Sequence, residues 1–155
     1  MMQASGADYL ALRSALSARR ARLPSVGRVM ILNASKPACG VLVALVRSVL
    51  GYDAIVEHEV SLGAALDRIM ASKPDLILLD DRLATGKSGA ATLALLRACD
   101  HHGPVVITIG TGDHKLRRQM LAAGAADVIE RDDYNSGRLS EAFIRAFAPD
   151  AIAAE

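Results

Sequence analysis

Pro74-Asp75-Leu76-Ile77-Leu78-Leu79-Asp80-Asp81-Arg82-Leu83 is the stretch on which the reading of this chain turns. Leu76 to Leu79 are consecutive apolar residues between a proline and a pair of carboxylates, the pattern of a strand buried on both faces of a parallel sheet. In open α/β sheets, ligands and chemistry collect in the crevice outside the carboxyl ends of the strands. A carboxylate at that end, Asp80, is therefore placed as a functional residue.

Working outward, short apolar runs alternate with amphipathic segments from Arg28 onward. Strands are expected at Val29 to Leu32, Ala54 to Val56, Leu76 to Leu79, Val105 to Ile109 and Val128-Ile129. Helices are expected at Pro37 to Leu50, Ser61 to Ala71, Thr92 to Cys99, Asp113 to Ala123 and Leu139 to Phe147. Ser61 is a helix-start signal, and Gly51 and Gly124 are stop signals. Alternation of this kind implies βαβ units and a parallel, doubly wound α/β domain. The composition agrees, because 52% of the residues are hydrophobic and only 3% are aromatic, which leaves packing to aliphatic faces. A length of 155 residues suits one domain.

Residues 5 to 23 carry Tyr9, Leu12, Leu16 and Leu23 at roughly helical spacing, with Arg13, Arg19, Arg20 and Arg22 on other faces, until Pro24 interrupts. This predicts an extension over residues 1–25 with an amphipathic helix that caps the domain or makes a homodimer contact. The α/β domain then spans 26–148, and an Ala-rich tail, expected to fray, covers 149–155. A formal net charge of +1 gives no general pull toward nucleic acid or an anionic membrane. No transmembrane span or signal peptide is legible, so a cytoplasmic location is expected. Cys39 and Cys99 read as reduced core thiols, and His101 and His102 as part of a surface loop before Gly103-Pro104.

With these elements in order, residues 28 to 147 resemble a CheY-like response-regulator receiver domain. The resemblance rests on Pro74 to Asp80, on Ala122-Ala123-Gly124-Ala125-Ala126-Asp127 before the last strand, and on the spacing between them. It implies a flavodoxin-like (βα)5 fold, a five-stranded parallel sheet in the order 2-1-3-4-5. It also implies a place in two-component phosphorelay signalling, with Asp80 as the candidate phosphoacceptor from a histidine kinase. Receivers end the first strand with two acidic residues that hold Mg²⁺, and here Asn33-Ala34 stands there. Counting from Pro104, the hydroxyl position that closes the fourth strand falls on Ile109. Arg131 occupies the usual Lys position, without the proline that normally follows.

Magnesium prefers carboxylate oxygens in a near-octahedral shell, and Asp80 is left as a lone weak candidate. No metal or other cofactor is therefore expected, and Mg²⁺ binding is expected to be weak or absent. Phosphorylation of Asp80 is expected to be slow or absent, since the developing phosphoryl charge loses its main stabiliser. Arg131 is positioned to hold Asp80 in a salt bridge. Gly86-Lys87-Ser88-Gly89 lacks the first glycine of a phosphate loop at the required distance.

No output domain fits after Phe147, so the expectation is a stand-alone pseudo-receiver that docks a histidine kinase or another signalling protein. The face normally used would carry Lys115, Arg117, Arg118, Arg131, Tyr134 and Arg138. The alternative is an effector that binds cyclic di-GMP or a similar anionic dinucleotide through that same face, by guanidinium pairing and stacking. An enzyme is not expected: Asp80 has no His partner in the pattern, and Ser35, Ser88 and Thr111 lack a supporting motif.

Overall fold

The computed structural model describes residues 26–83 and 89–147. The helix expected at 5–23, the loop through Gly86-Lys87-Ser88 and the tail from 149 lie outside these residues. Strands are β1 (Arg28–Leu32), β2 (Ile55–Glu59), β3 (Leu76–Asp80), β4 (Val105–Ile109) and β5 (Asp127–Glu130). Helices are α1 (Lys36–Leu50), α2 (Leu62–Ala71), α3 (Gly89–Ala98), α4 (His114–Ala122) and α5 (Ser136–Phe147), with a short 3₁₀ turn at Arg131–Asp133. All pairings are parallel and the order is β2-β1-β3-β4-β5, as the resemblance implied.

The central strand explains the two layers. Every residue of β3 is buried. Successive strand side chains point to opposite faces, so Leu76 and Leu78 meet Leu42 and Val46 of α1 and Phe143 of α5, while Ile77 and Leu79 meet Ile69, Leu93 and Met120 of α2, α3 and α4. Burying one such side chain stabilises the fold by about 1.5–3 kcal/mol, so this strand anchors both cores. Helix starts are marked by side-chain caps: Ser35, Ser61 and Asp113 accept from the N–H groups of Ala38, Ala64 and Leu116. At the end of α1, Gly51 has φ +91°, a left-handed conformation that a side chain would strain.

Several expected boundaries shift for physical reasons. Strand β2 runs on to Glu59, because Arg28 and Arg68 hold Glu57 and Arg68 also holds Glu59, so polar residues complete the strand. Helix α3 begins at Gly89, not Thr92. A Cβ at Gly89 would lie 2.9 Å from Met120 Sδ and 3.0 Å from Asp81 Oδ1, so a larger residue here would require those side chains to shift. Helix α5 begins at Ser136, where Asn135 Oδ1 caps the Arg138 N–H at 2.8 Å. Cys39 is buried as expected, but Cys99 is only half-buried at the end of α3. His101 is buried and not on the surface; burial, with the nearby Arg97 charge, pushes its imidazole pKa down. No helix among the described residues is long and apolar enough to cross a membrane.

Candidate functional site

Parallel pairing brings the ends of β1, β3 and β4 and the turn after β5 around Asp80, which is 5% exposed. Its Oδ1 accepts from the Arg82 N–H at 2.8 Å and from Arg131 Nη2 at 2.9 Å. Its Oδ2 accepts from Arg131 Nε at 3.2 Å and from Asn33 Nδ2 at 3.4 Å. The expected Arg131–Asp80 ion pair is thus a two-point fork, a geometry that a planar guanidinium makes and an ammonium cannot.

These contacts decide how the site fits a magnesium ion. Asn33 turns its NH₂ group toward Asp80, and its carbonyl oxygen accepts from the Ser35 N–H at 2.9 Å. Ala34 has no side-chain ligand atom. Asp81 Oδ1 accepts from the Gly89 N–H at 3.1 Å. Among the described residues that line the pocket, the one carboxylate, Asp80, already has both oxygens engaged by donors. A hard dication that needs several oxygen ligands does not fit this set.

The site gains a hydroxyl from the residue before Ile109. Asp80 pairs with Thr108 in the β3–β4 register, so Thr108 shares its face, while Ile109 is buried in the opposite core. Ile109 is the position counted from Pro104, and a step of one residue along a strand reverses the face, so the residue before it is the one that meets Asp80. A hydroxyl is therefore present beside Asp80. It is engaged by Tyr134, whose hydroxyl oxygen lies 2.6 Å from Thr108 Oγ1. Burial of the phenol pushes the Tyr134 pKa up to about 12, with the Thr108 hydrogen bond working against that rise and the Asp80 charge adding to it.

Arg131 and Tyr134 belong to one short segment, and its other members reach the β4–α4 loop. Glu130 accepts from the Gly112 N–H at 3.0 Å, and Asp132 accepts from the Thr111 hydroxyl at 2.8 Å. Residues 130 to 134 thus clasp Asp80, Thr108, Thr111 and Gly112 together. The run Glu130-Arg131-Asp132 was visible in the sequence, but its partners depend on register and loop path.

The six residues expected on the basic face divide into two groups. Lys115 and Arg118 are exposed on α4. Arg117 donates to the Val128 carbonyl at 3.0 Å, and Arg138 donates to that same carbonyl and to Asp127 Oδ2 at 2.7 Å. Arg131 is held by Asp80, and Tyr134 by Thr108 while it packs on the α1–α5 core. The buried Asp127 was missed as a partner. Burial works to raise its pKa, but Arg138, the Val128 N–H and Arg145 outweigh that and hold it below the usual carboxylate value.

A doubly wound sheet with one buried carboxylate closing its central strand, a hydroxyl beside it and a cation after the last strand defines a receiver-type signalling domain. Residues 30–142 match the response regulator receiver domain. The chain belongs to the response-regulator receiver family, the receiver modules of two-component systems that interact with kinases and other signalling proteins. The signal receiver domain of a putative LuxO repressor protein from Vibrio parahaemolyticus is similar at 25% identity and TM-score 0.66, over 82% of this chain and 97% of that one. FixJ-N is similar in fold at 23% identity and TM-score 0.65, over 77% and 92%. The receiver domain of NtrX from Brucella abortus is also similar in fold, at 22% identity and TM-score 0.67, over 76% and 96%. No protein of curated function matches the chain.

Proposed function

We propose that this receiver works as a docking module and not as an enzyme, with phosphorylation at Asp80 impaired or absent. The observation that carries this reading is the two-point Arg131–Asp80 pair at 2.9 and 3.2 Å, beside an asparagine where an acid would be needed. Phosphoryl transfer needs an accessible carboxylate oxygen and a cation to spread the developing charge. Both Asp80 oxygens instead face protein donors, and the described residues lining the pocket include no second carboxylate to recruit the cation. The Thr108–Tyr134 bond supports the same reading, since the hydroxyl that would meet a phosphoryl oxygen is already satisfied.

Docking would use the α4–β5–α5 face, where Lys115 and Arg118 offer exposed charge and the clasp fixes the adjoining turn. The cyclic-dinucleotide alternative draws on the same face, and titration with cyclic di-GMP against Arg118→Ala separates the two. The direct test is to incubate the protein with Mg²⁺ and acetyl phosphate and weigh it intact. We expect no gain of about 80 Da, the mass of one phosphoryl group. The triple change Asn33→Asp, Ala34→Asp and Arg131→Lys should restore a gain that Asp80→Asn then removes. A stoichiometric gain in the unmodified protein would overturn the reading.

A further inference from the structure

Above Asp80 lies a cavity of about 310 Å³ with two unlike walls. One is polar and carries Asp80, Arg82, Thr108 and Arg131; the other is the face of α1 that presents Ala38, Val41 and Leu42. Their i, i+3, i+4 spacing places these three side chains side by side. Val41 is 61% exposed, one of few large apolar side chains so open among the described residues. It forms an apolar lip on a pocket that in the family handles a phosphoryl group and a metal ion.

The electrostatics of the cavity are also altered. Two guanidinium groups face one carboxylate among its lining residues, so its formal balance is positive. Arg131 is committed to Asp80, whereas the Arg82 side chain is 70% exposed and its Nε stands 3.7 Å from Asp80 Oδ1, beyond hydrogen-bond reach. Its planar donors can meet an incoming carboxylate in two-point fashion. The first turn of α1 has no acidic residue, so its N-terminal dipole adds to the preference for negative charge. A pocket at the small end of the usual ligand range, apolar on one side and cationic at its rim, selects a small amphipathic anion.

We propose that this cavity binds a short-chain organic carboxylate, with the carboxylate on Arg82 and the hydrocarbon chain along Ala38, Val41 and Leu42. The proposal rests on the reading of Asp80 as a site closed to phosphorylation, because a metal and phosphoryl group would compete for the same space. The carboxylate would replace the family's phosphoryl chemistry with reversible binding, and its contacts with α1 would couple ligand to the helix that flanks the site.

The test is a two-dimensional NMR titration of the ¹⁵N-labelled chain with sodium acetate, butanoate and hexanoate, and with neutral hexanamide. Saturable shifts are expected at the Ala38, Val41 and Arg82 amides, with affinity rising about threefold per added methylene, close to the value for burying one methylene. Arg82→Ala should weaken hexanoate about tenfold. Val41→Ser should flatten the chain-length dependence and leave acetate unchanged. Both residues are exposed, and the dispersed spectrum reports directly that each variant is folded. Absence of saturable shifts at 50 mM (an order-of-magnitude ceiling of about 2 kcal/mol of binding), equal affinity for hexanamide, or equal affinity for acetate and hexanoate would each overturn the proposal. Phosphorylation of Asp80 with intact hexanoate binding would defeat the closed-site reading alone, whereas no binding together with no phosphorylation would defeat only the ligand.

Discussion

Asp127 opens β5 and Asp80 closes β3, and each is a buried carboxylate held by arginine. Asp127 is 3% exposed; Arg138 meets it at 2.7 Å and Arg145 at 3.2 Å, both from α5, which packs along that strand. Asp80 is 5% exposed, and the arginine that holds it comes from a one-turn 3₁₀ segment beside an open cavity. The first arrangement fastens a helix to a sheet. The second lies at the wall of a cavity at the carboxyl ends of the strands. Similar ion pairs thus have different consequences, decided by whether the surroundings can move when the pair is broken.

The comparison is broken most severely at Asp127. Asp127→Asn should cost about 3 kcal/mol in urea denaturation, because Arg138 is left largely buried with only the more distant Glu141, at 3.9 Å, as a counter-charge. Since the folded-state pKa of Asp127 is held down, its contribution is present above the ordinary carboxylate value and is lost as pH falls through the folded one. The gap between the natural protein and this variant should therefore shrink below about pH 4. Asp80→Asn should cost less, about 1 kcal/mol, because the cavity lets Arg131 turn to water. Equal losses at the two positions would mean that Asp80 is as structural as Asp127.

Smaller still is the effect expected for Tyr134→Phe, about 0.5–1 kcal/mol, which leaves Thr108 without its partner. Absorbance titration should show one phenol ionising near pH 12 that this variant lacks. Because the folded pKa is raised, the stability linked to Tyr134 is complete below about pH 10 and declines as pH rises toward 12. Hydrogen exchange at Thr111 and Gly112 should quicken modestly in the same variant if the clasp acts as a unit.

Much of the fold was legible because burial on both faces leaves a strong mark. Leu76 to Leu79 could hardly be anything but a central strand, and the positions of the other strands followed from the alternation of apolar runs and helical segments. Asp80, Asn33 and Arg131 were legible as a set because each closes or follows a strand. Thr108 was not, since its side depends on how β4 registers against β3, and one residue decides the face. Tyr134 looked like a surface ring because it follows a run of charges. Only its return under the sheet, through the 3₁₀ turn, places the phenol beside Thr108. The basic face was overcounted for a similar reason: sequence shows that Arg117 and Arg138 are charged, but not that the Val128 carbonyl and Asp127 occupy them.

The clasp formed by residues 130 to 134 also bears on the routes by which such a domain can change. Arg131 and Tyr134 ride on the same short turn and hold different parts of one pocket, so a change at either acts against the contacts made by the other. A lysine restored at 131 alone would still face Asn33 and an engaged Thr108. On the proposed reading, the effects of single steps toward phosphotransfer would be masked by the remaining contacts and would be strongly non-additive. On the same reading, several clasp positions would have to change together before phosphotransfer was gained, while positions outside the clasp, such as Lys115 and Arg118, could vary one at a time.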